Sequence, residues 1–75
     1  MRLTEIALEK INKPHVRVRL AVALGVSEQT ISKYIKNNDD NLTKAAAVAV
    51  IKRQTGLTED DILDTYNDIY EHSAE

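Results

Sequence analysis

The feature that most constrains this 75-residue chain is an apolar pattern between residues 17 and 36 that breaks once, at Gly25. Leu20 and Leu24 stand one helical turn apart before the glycine. Ile31, Tyr34 and Ile35 recur at helical spacing after it. Such a stretch reads as two short helices whose inner faces meet across a tight turn. The first helix then needs a small residue where the second crosses closely, and Ala21 stands there. The turn needs a residue that accepts left-handed backbone, and Gly25 follows four positions later. Val26 suits the inner corner. Ser27 offers an oxygen to the free N–H groups at the start of the second helix.

The rest of the chain reads the same way. Only two glycines and one proline punctuate it, so short helices must be joined tightly. Leu3, Ile6, Ala7 and Ile11 predict a first helix that ends before Pro14. The polar run Asn37–Asn41 ends the third helix, and Thr43 is the expected N-cap of the fourth. Residues 45–51 are apolar nearly all round. A strand is the alternative there, but three alanines and the flanking Thr43 and Gly56 favour a central buried helix. Thr58 opens a fifth, with Asp61 as its capping partner. The expected fold is all-α: one domain over residues 1–75, with helices at about 3–12, 15–24, 28–36, 43–55 and 58–71. A chain of this size buries only about 60% of its unfolded surface, so every apolar face has to be used.

Charge is divided along the chain. Residues 1–36 hold seven bases against three acids, a local +4, whereas residues 37–75 hold three bases against nine acids, a local −6. The net charge of −2 therefore hides a basic half able to face phosphates. With no cysteine there is no disulfide or thiolate metal site, and a reducing compartment fits. No apolar run is long enough to cross a membrane, and MRLTEIALEK lacks the pattern of a secretory signal. A cytoplasmic protein is expected.

The stretch RLAVALGVSEQTISKYI, residues 19–35, resembles the helix-turn-helix of phage Cro proteins and phage repressors. The five-helix pattern extends the resemblance, more loosely, over residues 3–70. It implies a lambda-repressor-like fold and sequence-specific binding of double-stranded DNA, as a transcription regulator of the repressor kind. It also implies that the helix at about 28–36 enters the major groove with its outward residues on base edges. Gln29 would pair with adenine, Lys33 with guanine, Ser32 with several bases, and Glu28 with cytosine. Arg17, Ser27, Lys36, Asn38, Thr43 and Lys44 would hold the DNA backbone. Ser27 doubles as a helix cap, and Glu28 as a complement to the helix dipole. One departure is Arg17, where the family commonly carries a polar amide residue. Val18 and Val22 lie off the inner face of the second helix. Either they pack under the first or last helix, or they form a subunit contact.

Other function classes have less support. His15 and His72 lack a patterned partner for a metal or a nucleophile, so neither an enzyme nor a metal site is expected, and no cofactor is implied. The rival reading is a protein-interaction adaptor, or an antitoxin, that docks a partner through its acidic C-terminal helix. Within that helix Ile62, Leu63 and Tyr66 are expected in the core. Ile69 and Tyr70 remain available for self-association in a homodimer.

Overall fold

Local side-chain oxygens and left-handed residues set most helix boundaries. The computed structural model describes residues 2–64. Helix α1 (Glu5–Ile11) starts where the Thr4 hydroxyl accepts the Ala7 N–H at 3.2 Å. Helix α2 (Pro14–Leu24) carries Pro14 in its first turn, where an N–H is not needed. It ends at Gly25, φ 68°, whose N–H turns back to Ala21 and Val22, while the Val26 N–H reaches the Ala21 carbonyl at 3.0 Å. A Cβ at Gly25 would meet no atom within 4 Å, so glycine is required there by its backbone and not by space. Helix α3 (Glu28–Asn37) is capped by Ser27 and leaves through Asn38, φ 47°. Helix α4 (Ala45–Thr55) ends at Gly56, φ 73°. Helix α5 (Glu59–Ile62) opens as expected: Thr58 accepts the Asp61 N–H, and its hydroxyl donates to Asp61 Oδ2 at 3.0 Å.

The described chain is mostly helical, but both of its ends differ from expectation. Residues 2–3 do not begin α1. They form strand β1 (Arg2–Leu3), antiparallel to β2 (Leu63–Asp64), with Arg2 opposite Asp64 and Leu3 opposite Leu63. The fifth helix is correspondingly cut short after one turn. Its last carbonyls find tertiary donors instead of a further helical turn. The Thr4 N–H donates to Ile62 O at 2.9 Å, and the Thr4 hydroxyl donates to Asp61 O. Residues 65–71 of the predicted helix, with Tyr66, Ile69 and Tyr70, lie outside the described residues, as does His72.

A second difference lies between α3 and α4. Asp39 accepts from both the backbone and side-chain nitrogens of Asn41, which winds Asp40–Thr43 into a 3-10 turn. Thr43 closes that turn, its hydroxyl donating to Asp40 O at 2.6 Å. It therefore does not cap α4. Lys44 takes the N-cap position and makes no side-chain cap bond.

The core gathers around α4, which packs against α1, α2, α5 and the 3-10 turn. Ala47, Val48 and Ile51 face inward, but Ala45, Ala46 and Ala49 are exposed, so α4 is one-sided and not buried all round. From α1 come Ala7 and Ile11, one turn apart. Ile6, about 100° round the helix from Ala7, is half exposed instead of joining them. From α2 come Val16, Leu20 and Ala21, and Leu3, Ile31, Leu42 and Ile62 close the remaining sides.

One polar contact ties these parts together. The Asn38 side chain reads the main chain of Leu3 like a neighbouring strand. The Leu3 N–H donates to Asn38 Oδ1, and Asn38 Nδ2 donates to Leu3 O, each at 3.0 Å. The end of α3 is thereby bound to the strand that pairs with β2.

Two outcomes are expected. Asn38→Gly keeps the left-handed backbone but orphans both Leu3 groups, and should lose about 1–3 kcal/mol in urea unfolding. Asn38→Asp keeps the acceptor for the Leu3 N–H and should lose less than Asn38→Ala, which gives up both bonds and keeps the positive φ. The second concerns Asp39, whose carboxyl is held below its ordinary value, first by the Asn41 N–H donating to it. A lowered folded pKa favours the fold above the unfolded value, and that contribution is lost as pH falls through the folded one. The stability gap between the wild-type chain and Asp39→Ala should therefore narrow on acidification below the usual aspartate range, read by urea unfolding at a series of pH values.

Candidate nucleic-acid interface

Helix α3 has two faces, separated by the 3.6-residue period. Ile31 is fully buried, and Tyr34 and Ile35 are half-buried beside it. Tyr34 packs against the core, as expected of that position. Glu28, Gln29, Ser32, Lys33 and Lys36 come out on the other side, within about 140° of arc, and all five are exposed. Among the described residues, none of these five side chains is engaged in a hydrogen bond or an ion pair. The face thus presents an amide, a hydroxyl, two ammonium groups and one carboxylate, all with free hydrogen-bonding capacity. Glu28 sits in the first turn, where the helix dipole favours an anion.

Ser27 holds the start of this helix. Its oxygen accepts the Thr30 N–H at 3.1 Å and lies 3.0 Å from the Thr30 hydroxyl. Ser27 is nevertheless exposed, so capping does not remove it from the surface.

The residues expected to hold a nucleic-acid backbone fall into three groups. Lys36 and Lys44 are exposed and make no hydrogen bond or ion pair among the described residues, and Lys44, at the N-terminus of α4, acts on Asp39 only through its charge. Arg17 is half-buried, and its Nη1 donates to Asn12 Oδ1 at 2.8 Å in the turn between α1 and α2. That tether fixes the guanidinium near the start of α2 with four of its five donors uncommitted. Thr43 and Asn38 are engaged in the fold. The Thr43 hydroxyl proton goes to Asp40, and the Asn38 amide spans the Leu3 peptide groups. Asn38 is a structural clamp, so we leave it out of the candidate surface. Its role had one local signal, the tolerance of asparagine for left-handed backbone at a helix end. Its partner, 35 positions away, had none.

The 3-10 turn packs on both α3 and α4. Val18 and Val22, whose direction the pattern left open, are 44% and 79% exposed. His15 is exposed at the start of α2. Among the described residues, no group of three or more His, Asp or Glu side chains is placed to hold a metal ion, and no helix is long and apolar enough to cross a membrane. Comparison with protein families, characterised proteins and solved structures yields no match to this chain, so its own residues carry the functional reading.

The Ser27 cap is separable from the exposed face. Ser27→Ala should cost about 1 kcal/mol and speed amide exchange in the first turn of α3, whereas Ser27→Asp should keep both close to wild type. Exchange measured by NMR, together with urea unfolding, checks the pair.

Proposed function

We infer that this protein binds duplex DNA sequence-specifically and regulates transcription, with α2 and α3 acting as a helix-turn-helix of the phage Cro and repressor kind. The observation that carries this reading is the unengaged polar face of α3: Glu28, Gln29, Ser32, Lys33 and Lys36, all exposed opposite Ile31. A helix is narrow enough to enter the major groove, and side chains on one face then meet base edges. Gln29 matches the donor and acceptor pair of adenine, and Lys33 the acceptors of guanine. Ser32 donates to several bases. Glu28 accepts from cytosine, and its charge penalises other placements through repulsion from phosphate.

Affinity comes from cations at the margins. Lys36, Lys44 and Arg17 neutralise phosphates, and Ser27 adds a polar contact to the backbone, whereas the Thr43 hydroxyl proton is already held by Asp40. The split charge of the chain suits this, because the basic half contains both α2 and α3. The protein acts by occupying a site, without a chemical step, and represses by excluding other proteins from it. Two copies on half-sites about 34 Å apart would double the contacts of one short reading helix.

Selection of bound duplexes from a random pool tests the reading. An enriched sequence is expected, palindromic if two copies bind. On that sequence Gln29→Ala and Lys33→Ala should each cost about 1–3 kcal/mol and relax preference at one position. Lys44→Ala and Arg17→Ala should weaken all sequences alike, and each should lower the salt slope by about one. Lack of enrichment, with binding that vanishes at modest salt, would instead favour the adaptor reading.

A further inference from the structure

Helices α2 and α4 pack side by side, and both line one open groove of about 580 Å3. On α2 the lining runs His15, Val18, Arg19 and Val22, and on α4 it includes Val50 and Arg53. Residues three and four apart share one face of a helix, so the α2 positions form a stripe about two turns, or roughly 10 Å, long. Val18 and Val22 are exposed, and Val50 is half-buried. Arg19 and Arg53 are exposed too, and neither makes an ion pair or a hydrogen bond among the described residues. No carboxylate lines the groove. At its His15 end it adjoins a smaller cavity lined by Lys10 and Lys13, which extends the positive charge. A chain of net charge −2 therefore gathers apolar surface and uncompensated cations in one place.

These features select the occupant. A small molecule is held where about 70–90% of its surface is enclosed, whereas Val22 is 79% exposed on an open surface. A second copy using the same patch sets each rim against itself, arginine facing arginine with no acid between them. A helix laid along the groove needs cover on one side only. Its apolar stripe meets the valines, and its charged flanks meet the rim. Charge complementarity makes those flanks acidic.

We propose that the groove between α2 and α4 docks an acidic amphipathic helix of a partner protein. Apolar side chains one turn apart on that helix cover Val18, Val22 and Val50, and its carboxylates meet Arg19 and Arg53. No α3 residue lines the groove, so the docked helix does not compete for the exposed polar face of α3. The contact stands on the groove alone and does not depend on the reading of α3.

Selection from a random display library of peptides about 16 residues long, sufficient for an isolated helix, on the full-length protein tests this. Enriched peptides should carry apolar residues at i and i+4, or i and i+3, with Asp and Glu beside them. Titrated with such a peptide, the Val18, Val22 and Val50 methyl signals should shift saturably. Val22→Asp should weaken binding about tenfold or more, by losing one buried valine. Arg19→Glu and Arg53→Glu should each weaken it by about two- to fivefold and reduce its salt dependence. Unmoved Ile31 and Leu42 methyl shifts in the variants separate loss of docking from loss of fold. Enrichment of no peptide, of basic peptides, or of peptides indifferent to Val22→Asp overturns the proposal. So do NOEs in the free protein from the Val18 and Val22 methyl groups to a second copy or to another segment of the same chain, since the groove is then already filled.

Discussion

The double hydrogen bond between the Asn38 side chain and the Leu3 peptide groups is the contact on which the arrangement of this domain depends. It joins three things that have no local reason to meet: the end of α3, the first strand, and through β2 the end of α5. An isolated two-stranded pairing of two residues each would not persist in water. Here β1 has a second partner on its other edge, supplied by one amide side chain. Leu3 is thereby held in the core at 1% exposure, against the 3-10 turn that follows Asn38.

That constraint bears on the candidate interface. The exposed polar face of α3 can serve as the proposed reading face only if the helix is held firmly at both ends. Its start is held by Ser27, and its end by Asn38, which uses its backbone for the turn and its side chain for β1. Between them Ile31 anchors the middle to the core. With the buried face and both termini engaged, the exposed residues need no further partner to stay in place, and their polar groups remain open to a ligand. Preorganisation of this kind lowers the entropic cost of binding.

The two surfaces of the domain differ in chemistry. On α3 the exposed side chains are polar. Between α2 and α4 the exposed side chains are valines ringed by arginine. Both helices of the α2–α3 pair therefore show an outward face, polar on α3 and partly apolar on α2.

Residues within four or five positions of one another determined much of this protein. The turn at Gly25, the caps at Ser27 and Thr58, the left-handed end at Gly56 and the grouping of Gln29, Ser32 and Lys33 on one side of a helix all follow from local spacing, because each rests on bonds or periodicity inside one turn. The tertiary structure decided the rest. Thr4, 57 positions from Asp61, halts α5 by taking its last carbonyls, against an apolar stripe that locally favours more helix. Asp39 and Asn41 displace Thr43 from its expected cap by winding a 3-10 turn. Whether Val18 and Val22 are covered by another helix depends on where α4 lies beside α2, which no spacing within α2 encodes. At α5 a partner distant in sequence outweighed a local preference worth only a fraction of a kcal/mol to about 1 kcal/mol per residue, whereas at Thr43 one local hydrogen-bonding pattern displaced another.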